Sequence, residues 1–579
     1  MRRFASALAA LPPGRAIFAA ALLAFLLGAP SLFHGFLFDD HVHRYAVKGL
    51  PGPMSGLGLF NFAPGDPAAF KPYIENGPFP WWADPEVRLI FFRPLSSALV
   101  YLDVALFGET AALWHLHSLL WSVAFVLAGA LALRRLTSGA LFTVALLFFT
   151  FDEARWMPTA WIANRNALIA GTFACLSFAL HLRWRQEGTR WAALASALCL
   201  ALGLCSAEAA LAIVGFFLAH ALVERRPRSL IPVACVLVPY VVLYKLLRAG
   251  AHGSGIYLDP LDAPLAFLAA APGRFAALVG NMSLDLPIDL WLAAPQAVPT
   301  LIGLGALTVV GAGFLLFHTR AALPAGEQRT LDTLLLGTAL GLVPTLATFP
   351  ASRMVLIPGL GAAALLAFVV RHLWRRQRTV FLWLLVAVHV PFAALAWFAD
   401  QAVLGKMSAL SDAAQANLEL ERDRPDLRVL ALTTGDSATG LYTPIQRALS
   451  GAAPPARFWI LSNNTHHYRF TRVADAALEL EALDGHFADT VFEQVVRAPQ
   501  KAFHVGDQVE LAGAQVRVLE VDDGAARKIR VTLDRSLEAD DVRLLVWRDG
   551  ALRRFSPPPV GQRVELPWAE GVMTSAARP

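Results

Sequence analysis

The sequence predicts a polytopic α-helical membrane protein with a soluble, β-rich α+β domain at its C-terminal end. Of the 579 residues, 56% are hydrophobic and 16% are charged, and the mean hydropathy is +0.51. These values are too apolar for a soluble chain of this length. About eleven apolar runs are long enough to be membrane-crossing helices. After about residue 404, short segments follow in which apolar and polar residues alternate as they do in strands.

Charge and cysteine content exclude several other classes. The net charge of +5 and the pI near 9.1 do not indicate nucleic-acid binding, because the arginines lie in short clusters between apolar runs. That pattern is typical of cytoplasmic loops. The four cysteines all fall within apolar segments: Cys175, Cys199, Cys205 and Cys235. The sequence therefore predicts neither a disulfide framework nor a thiolate metal site.

The first apolar run, residues 16–33, follows Arg2 and Arg3. Since no small-x-small cleavage site precedes Asp39, we expect a retained first helix with a cytoplasmic N-terminus. Residues 35–110 then form a long extracytoplasmic loop that begins with the acidic pair Asp39-Asp40. Loops of this length usually carry function. Within this loop, residues 89–106 are expected to form an interfacial helix.

Ten further apolar runs lie between residues 112 and 399. Their approximate bounds are 112–133, 138–151, 161–182, 191–206, 208–223, 229–247, 297–317, 331–349, 354–370 and 380–399. Arginine clusters alternate onto one side, which indicates an odd number of spans. The outer side then receives the acidic pair, the loop 249–296, and these side chains: Asp152, Glu153, Glu208 and Arg353. We expect a multi-pass protein of a bacterial inner membrane.

Residues 405–579 form the predicted extracytoplasmic domain, after a transmembrane domain of residues 1–404. A polar helix is expected over 410–424. Strands are expected over 428–434, 457–461, 508–511, 516–521, 529–533 and 542–547. The odd number of spans places this domain in the periplasm. It carries no recognisable catalytic motif, and Gly435-Asp436 is interpreted as a turn.

Several motifs occur in the order found in one family. They are Phe36-Leu37-Phe38-Asp39-Asp40, Phe92-Arg93-Pro94-Leu95, Ala105-Leu106-Phe107-Gly108, Trp114-His115-Leu116, Arg134-Arg135-Leu136, Trp161-Ile162-Ala163-Asn164-Arg165, Ser206-Ala207-Glu208 and a segment running from Ser352-Arg353 to Gly359-Leu360-Gly361. Together they resemble the membrane domain of the transmembrane, TPR-containing protein O-mannosyltransferases, over about residues 16–372. That family belongs to the GT-C class of glycosyltransferases, which take a sugar from a polyprenyl phosphate. The resemblance thus implies a GT-C-like transmembrane domain.

The chain departs from the family in four places. Ala207 stands where relatives have lysine, and Asn166 where an acidic residue is common. Met157 aligns with a frequent glutamate, which leaves Asp152 and Glu153 as the nearest acids. The TPR array is absent, and the β-rich domain takes its place. These differences leave the identity of donor and acceptor open.

Inverting transfer from a lipid phosphate requires a base that removes the acceptor's proton, and Asp39 or Asp40 suits that role. Because the leaving group is a phosphate, positive charge on the departing oxygens takes the place of a general acid. Arg353, Arg165 and Arg93 are the candidate phosphate contacts. Supporting polar groups are Asp152, Glu153, Glu208 and His115, the last of which matches the family. A snorkelling anchor is the alternative role for Arg353.

No cofactor is expected, and the implied partners are a polyprenyl-phosphate-linked sugar, the membrane and an acceptor that is a protein, a lipid or a glycan. Asp40, His41 and His43 could instead ligate a divalent cation. That alternative is the weaker one, because the resembled mannosyltransferases work without metal.

Two other functions fit the same hydropathy pattern. A transporter or lipid flippase is less favoured, because transporters usually place ionisable residues near the midplane, whereas the polar residues here collect on one face. A catalytically silent scaffold, which recruits a partner through the β-rich domain, is prompted by Ala207 in place of the family's lysine.

Overall fold

The computed structural model describes residues 11–463 and 466–577, so Arg2 and Arg3 lie outside the described residues. The described chain divides into two compact units. The helical unit contains residues 11–34, 91–249 and 259–402. The β-rich unit contains residues 35–90, 250–258 and the described part of 403–577. The predicted loop segments 35–90 and 250–258 therefore cluster with the C-terminal segment, which the predicted boundary at 404 did not anticipate.

Apolar helices dominate the helical unit. Within the described residues, eight are long and apolar enough to cross a membrane: Pro13–Phe33, Ala111–Leu136, Ile162–Glu187, Pro227–Leu246, Pro264–Leu284, Pro295–Ala321, Ala325–Ala347 and Thr379–Ala416. Four are shorter: Pro94–Phe107, Gly139–Phe151, Arg190–Leu204 and Glu208–Val223. A further helix spans Gly359–Arg375. Each of the eleven predicted runs falls on one of these helices, so the multi-pass membrane protein is confirmed.

Helix Pro264–Leu284 was not predicted, because it lies within the expected loop 249–296. Pro272, Gly273 and Arg274 interrupt its apolar pattern, and its hydropathy of 1.3 is the lowest among the eight long helices. With this additional helix, the number of spans is no longer the eleven on which the predicted membrane orientation of the two termini was based. The side of the membrane on which each terminus lies therefore stays a prediction.

The other predicted helices are shifted at their ends. The interfacial helix of residues 89–106 begins at Pro94 and continues to Phe107. Proline suits the first turn of a helix, since its missing N–H has no partner there. The polar helix expected over 410–424 is instead the end of a continuous helix, Ala393–Ala416.

Glycines allow two helices to pack closely. Gly215 of helix Ala212–Val223 faces Gly337 and Gly341 of helix Ala325–Leu342. A Cβ at position 215 would lie 2.4 Å from the Gly341 nitrogen and 2.9 Å from the Gly337 oxygen. Small residues at such contacts let helix backbones approach where no hydrophobic effect between helices drives association. Large aromatic side chains fill the rest of the core: Phe125, Phe149, Phe178, Phe216 and Phe217.

Three sheets form the β-rich unit. The smallest is antiparallel and joins residues of both predicted loops: β1 (Asn61–Pro64), β2 (Arg88–Ile90) and β3 (Gly250–His252). The largest has the order β13-β6-β7-β10-β9-β8 and is antiparallel: β6 (Tyr468–Ala474), β7 (Ala477–Ala482), β8 (Gln508–Leu511), β9 (Ala514–Asp522), β10 (Ala525–Leu533) and β13 (Arg563–Leu566).

The third sheet has the order β12-β11-β4-β5: β4 (Arg428–Ala431), β5 (Arg457–Ile460), β11 (Val542–Arg548) and β12 (Ala551–Arg554). Strand β4 is parallel to both β5 and β11. Parallel neighbours need a crossover connection, and the short helices Ser437–Gly440 and Thr443–Leu449 lie between β4 and β5. The six predicted strands are confirmed, and β6, β7, β12 and β13 were missed.

Substitution of Gly215 by alanine should lower the thermal unfolding temperature, because its Cβ meets backbone atoms that cannot move aside alone. Overpacking of this kind costs about 1–3 kcal/mol. Gly311→Ala is the matched control, since a Cβ there meets no atom within 4 Å. Thermal unfolding of both purified variants in detergent checks this. Equal unfolding temperatures for the two variants would contradict the close approach.

Candidate functional site

The acidic pair begins helix Asp39–Val47 in the β-rich unit. Phe38, directly before it, has φ 50° and ψ −122°, a backbone conformation that residues other than glycine rarely adopt. Such strain costs about 1–3 kcal/mol and is typical of functional segments. The backbone conformation of Phe38 therefore sets the direction in which helix Asp39–Val47 begins.

The two aspartates have different environments. Asp40 is buried, with 1% of its surface exposed, and its Oδ2 accepts a hydrogen bond of 3.0 Å from the Leu37 backbone N–H. Asp39 is only partly buried. The arrangement gives Asp40 a role in holding the turn, and it leaves Asp39 as the more accessible carboxylate.

Tyr442 is the partner of Asp39. Its hydroxyl donates to Asp39 Oδ1 at 2.7 Å, and its ring lies 5.8 Å from that of Phe38. Burial, followed by the nearby charge of Asp39, raises the pKa of the Tyr442 phenol well above its usual value. The phenol is therefore protonated at neutral pH and acts as a donor, which favours the charged form of the carboxylate.

The rest of helix Asp39–Val47 is held by neighbours in the same unit. His41 Nε2 lies 2.9 Å from Gln446 Nε2, which donates to Ser411 Oγ at 2.8 Å. His41 Nδ1 lies 3.2 Å from Arg44 Nη1, and the Arg44 guanidinium covers the Phe36 ring at 3.8 Å. Both ring nitrogens of His41 are thus in contact with protein groups.

His43 packs on Phe60, with ring centroids 4.6 Å apart. Among the residues that the structure describes, no group of three or more His, Cys, Asp or Glu side chains is arranged to hold a metal ion. The contacts described for His41 and His43 include amide, guanidinium and aromatic groups. Their alternative role as ligands of a divalent cation stays a prediction.

The other seven predicted site residues lie in the helical unit. Arg353 lies in the short helix Ser352–Val355. Its guanidinium carbon is 5.9 Å from the Trp161 ring and 5.5 Å from the Phe349 ring, and Nη1 donates to Met157 Sδ at 3.4 Å. Aromatic faces stabilise a cation without neutralising it. The role of Arg353 as a phosphate contact stays a prediction.

Asp152 and Glu153, which are adjacent in the sequence, follow helix Gly139–Phe151. Asp152 Oδ1 accepts from the Ala154 N–H at 3.0 Å, and Glu153 Oε1 accepts from Asn281 Nδ2 at 2.6 Å. With Asp285 they line one small pocket. A Cβ at Gly359 would lie 2.3 Å from Asp152 Oδ2, so this carboxylate occupies the space that a side chain at 359 would need.

Burial raises the pKa values of all three acids. The pKa of Asp152 is raised to about 6. The pKa of Asp285 is raised to about 7 by burial and then by the charge of Asp152. The pKa of Glu153 is raised well above its usual value by burial and then by Asp285. The group therefore retains protons near neutral pH, and Asp285 is a member that the sequence did not predict.

Arg93 and Glu208 form an ion pair of 2.8 Å, with Arg93 Nε as the donor. Ser96 Oγ donates to the Ser206 carbonyl at 2.8 Å, which ties together the two motifs that contain these residues. Glu208 neutralises the charge of Arg93. A role for Arg93 in holding these two segments together is therefore favoured over direct contact with a phosphate.

Arg165 is buried and donates to Asp103 and, at 3.3 Å, to the Trp114 carbonyl. Asp103 Oδ1 is also 2.5 Å from His117 Nδ1. A buried charge with a buried partner is costly to separate. His115 is buried too, with its ring edge-on to His34 at 5.8 Å. These contacts favour a structural role for Arg165, and Asp103 is the partner that the sequence analysis did not assign.

Neither a scan against protein families nor a search of curated proteins finds a match. A search of solved structures finds similarity to the Archaeoglobus fulgidus oligosaccharyltransferase tethered with an acceptor peptide containing the NVT sequon via a disulfide bond. The identity is 11% and the TM-score 0.40, over 77% of this chain and 64% of that chain. For the same enzyme in complex with Zn and sulfate, the values are 12% and 0.35, over 77% and 62%.

A third similar structure is that of ArnT from Cupriavidus metallidurans bound to undecaprenyl phosphate, with 13% identity and a TM-score of 0.30, over 89% of this chain and 97% of that chain. This chain spans less than two-thirds of the length of the oligosaccharyltransferase chains. At these identities and TM-scores, the likeness carries neither a substrate nor a mechanism to this chain.

The acid group at Asp152 predicts a pH-dependent stability. An unfolded chain ionises these carboxyls near pH ~4, whereas the folded pKa values of Asp152 and Asp285 are about 6 and 7. The folded state binds more protons between these values, so its stability falls as the pH rises through that range. Asp285→Asn should flatten this decline and raise the free energy of unfolding at pH ~8 by on the order of 2 kcal/mol.

Thermal unfolding across this pH range measures the effect. Asp549→Asn is the control, since Asp549 is exposed in the turn between β11 and β12. A parental pH slope in Asp285→Asn would show that Asp285 is not part of the proton-binding group.

Proposed function

We propose that this chain is an integral membrane glycosyltransferase that moves a sugar from a polyprenyl-phosphate donor to an extracytoplasmic acceptor. Its general base is Asp39. The observation that carries this proposal is the contrast within the acidic pair: Asp39 is partly exposed and accepts from Tyr442 at 2.7 Å, while Asp40 is buried on the Leu37 N–H. The ordered motifs that resemble the TPR-containing protein O-mannosyltransferases support the donor class.

The reaction follows from the chemistry of the donor. The acceptor hydroxyl oxygen attacks the anomeric carbon, and its proton passes to the Asp39 carboxylate. The bond between the anomeric carbon and the phosphate oxygen breaks, and its electron pair leaves with the phosphate. Attack from the face opposite the leaving group inverts the configuration of the sugar.

Two groups support this chemistry in different ways. Tyr442 keeps Asp39 in its charged form before the reaction, because a hydrogen bond to the carboxylate favours that form. Arg353 is the predicted contact for the phosphate of the donor, since a guanidinium can donate to two phosphate oxygens at once and this one lies against the Trp161 and Phe349 rings. Arg93 and Arg165 are less suited to this role, because Glu208 and Asp103 neutralise them.

Substitution at Asp39 and Asp40 tests the assignment of the base. Asp39→Asn should lower turnover about 10²–10⁴-fold, because it removes the proton acceptor. Asp40→Asn should retain turnover within about tenfold, since the asparagine oxygen still accepts from the Leu37 N–H. The measurement is release of polyprenyl phosphate from a panel of polyprenyl-phosphate hexoses, followed by mass spectrometry.

Full turnover by Asp39→Asn with loss in Asp40→Asn would reverse the assignment. Full turnover by both variants would remove the acidic pair from catalysis. Movement of the lipid-linked sugar across proteoliposomes without bond cleavage would instead identify a flippase.

Tyr442→Phe tests the hydrogen bond to Asp39. The carboxylate loses a donor that favours its charged form, so the acidic limb of the kcat/KM profile should move to higher pH. Tyr468→Phe is the matched control, because the buried Tyr468 hydroxyl meets Ser462 Oγ at 2.5 Å in the same unit. An unchanged pH profile in Tyr442→Phe, or an equal shift in both variants, would contradict this positioning role.

A further inference from the structure

A basic pocket lies at one end of the helical unit, between helices Val298–Ala321 and Gly359–Arg375. Its lining residues are Ala322, Leu323, Phe368, Arg371, His372, Arg375 and Arg376. Leu323 and Phe368 are buried, whereas Arg375 and Arg376 are exposed. The pocket therefore combines an apolar floor with a cationic rim.

The charges around this pocket are unevenly compensated. Arg371 donates to both carboxylate oxygens of Glu327, at 2.9 and 2.5 Å. Nearby, Arg320 donates to both oxygens of Asp332, at 2.6 and 2.8 Å. Across the described parts of the chain, neither Arg375 nor Arg376 forms an ion pair. The rim thus carries two positive charges that no carboxylate neutralises.

The apolar surface beside the pocket indicates the kind of anion. Helix Val298–Ala321 exposes Phe314 and Phe317 near its Arg320 end, at 67% and 69% of their surface. This helix belongs to the set long and apolar enough to cross a membrane, so these side chains are suited to hydrocarbon. A ligand held here meets arginines at one end and an apolar wall at the other.

We infer that this pocket binds the phosphate headgroup of an anionic phospholipid, whose acyl chains lie along helix Val298–Ala321. Arginine suits a phosphate because its planar guanidinium presents several donors at once. Basic pockets between membrane helices are known to hold anionic headgroups. A free phosphate compound shares the charge but gains nothing from the apolar floor or from Phe314 and Phe317.

Arginine clusters also mark cytoplasmic loops whether or not they bind a ligand. Arg225 and Arg226 provide a comparison, because they are exposed at the end of helix Ala212–Val223 and do not line the pocket. If loop charge alone attracts lipid, the two clusters should behave alike. If the pocket is the site, only Arg375 and Arg376 should matter.

Native mass spectrometry of the full chain, titrated with phosphatidylglycerol or phosphatidylcholine, tests the proposal. We expect tighter binding of phosphatidylglycerol, and about tenfold or greater weakening in the double variant Arg375→Ala/Arg376→Ala. Arg225→Ala/Arg226→Ala should bind like the parent. Arg375→Lys/Arg376→Lys should recover part of the affinity, since it keeps both charges without the planar donors.

Competition identifies the source of the phosphate. Inorganic phosphate and glycerol phosphate should displace phosphatidylglycerol poorly, because they lack acyl chains. The assignment is overturned if the two phospholipids bind equally, or if Arg375→Ala/Arg376→Ala binds like the parent. It is also overturned if Arg225→Ala/Arg226→Ala weakens binding equally, or if inorganic phosphate displaces the lipid at lipid-like concentrations. Thermal unfolding of the alanine variant at the parental temperature confirms that a loss of binding is not a loss of fold.

Discussion

The hydrogen bond between Tyr442 and Asp39 joins residues 403 positions apart and defines what the acidic pair can do. Within the β-rich unit, it links the segment after the first apolar helix to the connection between β4 and β5. It also separates two adjacent aspartates into different roles, since Asp40 turns inward to the Leu37 N–H. Around this bond, Phe38 adopts a strained backbone that only a well-determined neighbourhood maintains. The proposed base and the tyrosine that donates to it therefore belong to the same β-rich unit.

Much of the fold could be predicted, because helices long enough for a membrane carry a strong hydropathy pattern. Helix Pro264–Leu284 was missed where Pro272 and Arg274 weaken that pattern. Strands β6 and β7 were missed although β6 alternates buried and less buried residues, because their polar positions are charged and resemble a solvated surface. The sheet β1-β2-β3 was beyond prediction, since its strands have three or four residues and come from two distant loops.

The candidate site was predictable only in part. Acids and arginines in an apolar chain stand out, so Asp39, Asp152 and Arg353 could be identified from the sequence. Their partners could not, because pairing depends on tertiary contacts. Asp103 shows this clearly: an acid inside an apolar helix is a recognisable feature, yet nothing local indicates that Arg165 meets it. Tyr442 gives no local sign at all, since it lies in an ordinary connection between β4 and β5.

The close approach of Gly359 to Asp152 has a consequence for the history of this chain. A side chain at position 359 and a carboxylate at position 152 would compete for the same volume, since a Cβ would lie 2.3 Å from Asp152 Oδ2. Substitution at either position therefore changes what is tolerated at the other. Among descendants of this sequence, glycine at 359 should persist where the acid persists, and larger residues should appear only after the acid has been replaced by a smaller side chain.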